Sequence, residues 1–79
     1  MTANDIDKMR PGTVLYRFMT EQNAHRKYVV YKPTHYNKCK ACSLLITGMG
    51  VKIESNGGTT RANYCSNCAS AKIFGLKGF

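Results

Sequence analysis

Cys39-Lys40-Ala41-Cys42 and Cys65-Ser66-Asn67-Cys68 decide how this chain folds: they are two Cys-x2-Cys units with 22 residues between them. Two residues between thiolates let a tight turn aim both sulfurs at one ion. Two such turns complete a tetrahedron with metal–sulfur bonds of about 2.3 Å. Four protein ligands close the coordination sphere and leave no position for an activated water, so the expected cofactor is one structural Zn2+. Iron suits the same four thiolates and stays open as an alternative. Covalent haem attachment needs His after the second Cys of a pair, where Ser43 and Ala69 stand. A dithiol redox site needs only one pair, and disulfides would require an oxidising compartment. His35 lies four residues before Cys39 and could replace a thiolate. A lone His is more often a surface or hairpin residue, so the metal set is Cys39, Cys42, Cys65 and Cys68.

Composition explains why such a staple is needed. Val, Ile, Leu and Phe supply only 15 of the 79 residues, and the formal net charge is +8. A sparse apolar set with a large charge stays disordered unless something else stabilises it, and bound zinc could add on the order of 10 kcal/mol at neutral pH. The longest apolar stretches, such as Leu44 to Ile46, are far short of the roughly 18 residues that cross a bilayer. No membrane partner is expected. The opening Met1-Thr-Ala-Asn-Asp-Ile-Asp7 has neither the basic run nor the apolar block of a secretory leader. A cytoplasmic location with reduced thiols is the expectation.

Between the pairs, Val51 and Ile53 alternate with Lys52 and Glu54 as in a half-buried strand, Asn56-Gly57 offers a tight turn, and Thr59 to Tyr64 can return as the partner strand. After Cys65, the run Ala69-Ser70-Ala71-Lys72-Ile73-Phe74 suits a short helix expected to stop at Gly75. Cys65 and Cys68, three apart, would share one face of its first turn. The order knuckle, hairpin, helix over residues 39–76 resembles the treble-clef zinc finger, whose second ligand pair comes from a helix N-terminus. Within it, Cys39-x2-Cys42-x3-Ile46-x-Gly48 loosely resembles the start of the poly(ADP-ribose) polymerase-type finger, a family that reads DNA breaks and has His where this chain has Cys65. The chain as a whole also resembles small basic accessory proteins encoded by phages.

In the N-terminal half, residues 1–10 are expected to be a flexible arm or a single helical turn, closed by Pro11-Gly12. Thr13 to Thr20 places Val14, Tyr16 and Phe18 on one side and Leu15, Arg17 and Met19 on the other, the two-residue period of a strand. Glu21 to His25 has hairpin length, Arg26 to Lys32 is the return strand, and Pro33 closes it. The expected organisation is one small α+β zinc-binding domain over residues 11–79, with a β-hairpin at 11–38 and the treble-clef-like finger at 39–76. Phe74, Leu76 and Phe79 could cap the core or form an exposed contact patch.

Four thiolates and a divalent ion contribute −2, leaving about +6 of the chain's +8. Such a field attracts polyanions by releasing their counterions, so nucleic acid is the expected partner. The candidate binding residues are Arg17, Arg26, Lys27, Tyr28, Tyr31, Lys32, Lys38, Lys40, Lys52 and Arg61. Tyr28, Tyr31 and Tyr36 interleave with these cations, a mixture that suits stacked bases and phosphates. Strand alternation turns Tyr28 and Tyr31 to opposite faces, so at least one should pack in the hairpin. The alternatives are a solvated face that keeps the chain soluble, or docking on an acidic protein surface such as that of a nucleic-acid enzyme. Enzymatic activity and a small-molecule substrate are not expected. Glu21 and Glu54, the carboxylates outside the first seven residues, each lie in an expected turn region without a titratable partner, and no His follows His35 to serve a His-metal nuclease. Gly48-Met49-Gly50 alone is no phosphate loop.

Overall fold

The computed structural model of the chain describes residues 2–33 and 36–77, with side chains as far as Ile73. His35, Phe79 and the side chains of Phe74 and Leu76 lie outside the described residues. In order, the elements are α1 (Ala3–Asp7), β1 (Val14–Met19), β2 (His25–Tyr31), β3 (Gly50–Ser55), β4 (Thr60–Cys65) and α2 (Ser66–Lys77). The four strands form one antiparallel sheet in sequence order. The two expected hairpins are therefore fused through a β2–β3 ladder running from Arg26↔Ser55 to Tyr31↔Gly50.

Both hairpins close with the same device. At the first, the Asn23 N–H donates to the Thr20 carbonyl (2.9 Å), the Thr20 N–H to the Ala24 carbonyl (2.9 Å), and the Ala24 N–H to the Thr20 hydroxyl (3.1 Å). At the second, the Gly58 N–H donates to the Ser55 carbonyl (2.9 Å), the Ser55 N–H to the Thr59 carbonyl (2.9 Å), and the Thr59 N–H to the Ser55 hydroxyl (3.2 Å). The third loop residue is left-handed in each case, with φ 61° at Asn23 and 86° at Gly58. These are three-residue loops, a turn followed by one left-handed residue. The second turn thus differs from the expectation that Asn56-Gly57 supplies the tight turn's backbone angles, because Gly58 takes the positive φ.

Register sorts the side chains. Tyr16, Phe18, Tyr28, Val51, Ile53 and Tyr64 share one face, while Arg17, Met19, Lys27, Val29, Lys52, Glu54 and Asn63 share the other. The helices cover the first face. Ala69 and Ile73 of α2 are fully buried in one cluster with Val30, Val51 and Tyr64, and Lys72 Nζ sits 4.9 Å from the centre of the Tyr64 ring. A bulge between Val14 and Tyr16 breaks the alternation expected of β1. Its extra residue, Leu15, joins Tyr16 and Phe18 in the core instead of following Arg17 and Met19 outward. A second irregularity, between Ile53/Glu54 and their partners, leaves Arg61 of β4 as an unpaired extra residue.

The opening segment, expected as an arm or a helical turn, is α1. Thr2 caps it in a reciprocal box with Asp5, and Ile6 has no exposed surface because α1 packs on α2. At the other end, α2 continues through Gly75 to Lys77 rather than stopping at the glycine, an interior position that costs about 1 kcal/mol relative to Ala.

Candidate metal centre

The first Cys pair sits in a short ribbon between β2 and β3. The Ile46 N–H donates to the Asn37 carbonyl and the Cys39 N–H to the Leu44 carbonyl, both at 2.8 Å, around an antiparallel Lys38↔Leu45 bridge. The Ser43 N–H reaches back to the Cys39 carbonyl at 2.8 Å, which closes the turn carrying Cys42. Two contacts fix the ribbon to the sheet. The Lys40 N–H donates to the Asn63 carbonyl of β4 (2.8 Å), two residues before Cys65. Ile46 packs beside Gly50, where a Cβ would fall 3.1 Å from Ile46 Cγ2 and 2.9 Å from Tyr31 Cε1. Gly50 therefore allows the ribbon and the Tyr31 ring to close on β3.

The second pair comes from the β4–α2 junction. Cys65 ends β4, Cys68 stands in the first turn of α2, and the Cys68 N–H donates to Cys65 Sγ at 3.5 Å. A helix start favours negative charge at its free N–H groups, which suits a thiolate there.

All four sulfurs lie within 4.8 Å of one another, and Cys42 Sγ and Cys65 Sγ are 3.9 Å apart. A tetrahedron with metal–sulfur bonds of about 2.3 Å has edges of about 3.8 Å, so the cluster fits one ion. Cys39 is buried, Cys65 and Cys68 are half-buried, and Cys42 faces solvent. Burial opposes ionisation of Cys39, but backbone N–H groups of Cys65, Cys42 and Ala41 outweigh it and hold the thiol down to about 6. The thiol of Cys68 is pushed up to about 12, first by its hydrogen bond with Cys65 and then by burial. Cys42 is also raised: the Leu44 backbone N–H pulls it down, but contact with the Cys39 sulfur and desolvation prevail. Thiolates this close compete for negative charge, and a divalent ion removes the competition by accepting all four.

Ser43 has φ 63°, in the left-handed region that a residue with a Cβ resists. Ser43→Gly is expected to raise thermal stability by about 1 kcal/mol while leaving metal stoichiometry unchanged, as read by differential scanning calorimetry and metal analysis. A lower melting temperature would mean that the Ser43 side chain contributes more than its backbone costs.

The candidate binding residues do not form one surface. Arg17, Lys32, Lys38, Lys40 and Arg61 are exposed, whereas Arg26, Lys27 and Lys52 are half-buried. Tyr28 is buried in contact with Tyr16 and Phe18, with ring centres 6.3 and 5.6 Å away, so it is core packing and not a stacking platform. Tyr31 is half-buried, and Lys52 Nζ lies 5.7 Å from its ring centre. Tyr36 is the tyrosine of that stretch left in solvent, 90% exposed. Arg26 has the parity of Tyr28, facing away from its neighbour Lys27. Sequence reading missed Met19 and His25, which pair across the β1–β2 hairpin beside Arg17 and Lys27. The two-residue period marked the face of Met19, whereas His25, expected in the connection, begins β2, and no motif marked either.

Fold and cluster together define a small α+β domain organised around a four-cysteine, zinc-finger-like site. Comparison with protein families, curated proteins and solved structures found no match for this chain. The treble-clef, poly(ADP-ribose) polymerase-type and phage resemblances thus rest on motif and element order alone. No helix among the described residues is long and apolar enough to cross a membrane.

Proposed function

We propose that this chain is a zinc-stabilised, treble-clef-like binding domain that holds nucleic acid by its phosphates and catalyses no reaction. The observation that carries the reading is the cationic group on the sheet face opposite the helices. Arg17 pairs with Lys27 across β1–β2, and Lys52 stands on the same face of β3. Glu54 is the one carboxylate among them, and it is engaged by Lys27 Nζ at 3.6 Å and Lys52 Nζ at 3.2 Å. Those contacts hold its carboxyl below the ordinary range, chiefly through the Lys52 hydrogen bond. A carboxylate so engaged is a poor general base, which supports binding without catalysis. The zinc would be structural, its four sulfurs supplied by Cys39, Cys42, Cys65 and Cys68 in a compartment that keeps them reduced.

The test is a titration of the metal-loaded chain with nucleic acid at several salt concentrations. Replacing Arg17, Lys27 and Lys52 together with Ala is expected to weaken binding to all sequences alike and to flatten the log–log salt slope by up to about 3. An unchanged slope sinks the reading. A second reading, docking on an acidic protein surface, is favoured by Tyr36, Leu44 and Leu45, which are 90%, 68% and 45% exposed beside the exposed Lys38 and Lys40. Negligible nucleic-acid binding at physiological salt would favour it.

A further inference from the structure

At the turn end of the sheet lies an open cleft of about 500 Å³, lined mostly from the face away from the helices. Its side chains form two successive rungs. One rung is Arg17 paired with Lys27, and the next is Met19 paired with His25. Phe18, Arg26 and Ser55 line it from positions of the opposite parity. Glu54 closes the β3 side and is engaged by two lysines, so Arg17 has no carboxylate partner among the described residues. Met19 is 53% exposed, an apolar side chain left in water next to a ring.

Resting on the phosphate-binding reading above, we infer that this cleft receives one unstacked nucleotide of a single strand. Its base lies on the Met19–His25 rung and its phosphate on the Arg17–Lys27 rung. Same-face rungs two residues apart are separated by about 7 Å, a spacing that places an apolar platform within one nucleotide's reach of a cation pair. A guanidinium offers phosphate a bidentate fork, and a base needs a flat or polarisable surface of modest size. The cleft volume falls in the range of small-ligand sites. A duplex has no free base face to offer such a cleft, so the preference is for single strands.

The metal-loaded full chain is titrated by fluorescence anisotropy with a labelled single-stranded oligothymidine and with a duplex of equal length at one salt concentration. The single strand is expected to bind about tenfold more tightly. Met19→Ala and His25→Ala should each weaken the single strand several-fold and leave the duplex unchanged, whereas Arg17→Ala should weaken both. Circular dichroism and metal content confirm that each variant is folded. Equal affinity for the two forms, or single-strand binding indifferent to Met19 and His25, overturns the cleft while leaving phosphate binding intact. Absence of binding to either form overturns both.

Discussion

Stripping the metal from this chain under reducing conditions is expected to unfold it. The buried cluster holds Ile6, Leu15, Tyr28, Val30, Cys39, Ile46, Val51, Tyr64, Ala69 and Ile73, and one of these is itself a ligand. A core of this size in a domain near 80 residues rarely supplies more than about 3–5 kcal/mol. A four-thiolate zinc site contributes on the order of 10 kcal/mol at neutral pH, so its loss exceeds the remainder. Without an ion, four sulfurs within 4.8 Å also compete for charge inside the fold. A strong chelator should therefore abolish the strand and helix signals in far-ultraviolet circular dichroism, and re-addition of Zn2+ should restore them. Cys39→Ser should purify without stoichiometric metal and behave like the stripped protein. Metal analysis of the untreated chain shows whether the resident ion is zinc or iron. Unchanged dichroism after complete metal removal would refute the structural role.

The second large effect concerns the first seven residues. Ile6 has no exposed surface, and α1 holds it against α2. Ile6→Ala should cost about 2–5 kcal/mol, through lost burial and the cavity left behind. In a domain of this length each kcal/mol lowers the melting temperature by about 4–8 °C. Leu44→Ala, at a side chain 68% exposed, is the matched control and should shift it little. Equal, small shifts in both variants would mean that α1 is a detachable arm.

Much of this architecture was legible because it is written in local chemistry. Cys-x2-Cys spacing singles out the four cysteines that the fold clusters at metal-binding distance, since a knuckle turn needs only its own residues. Period-two runs placed β1 and β3, Tyr and Val content placed β2, and the Asn56-Gly57 turn signal placed β4, each to within a residue or two at its ends. The N-terminal arm was harder. Ala3, Ile6 and Met9 recur every third residue, but one turn of spacing among acids and amides is too short a run to mark a packed helix. The β2–β3 ladder escaped for another reason: its strands are separated by the ribbon that carries Cys39 and Cys42, and nothing local encodes a pairing over that distance. The bulge at Leu15 then exchanged the sides of Val14 and Leu15 in an otherwise correct alternation. The candidate binding residues suffered most, because charge is read from composition but exposure follows from register. Adjacent Arg26 and Lys27 look alike in sequence and face opposite ways.

The two ladder irregularities fall on β1 and β4, the outer strands of the sheet. Open strand edges invite other chains to add on, and natural proteins deter this with kinks and fixed charge. Here each outer strand is bent by its extra residue and bears an exposed arginine, Arg17 on one and Arg61 on the other. A second copy of the chain approaching either border would meet a kinked strand and a fixed positive charge, so neither border offers a straight, neutral ladder to extend.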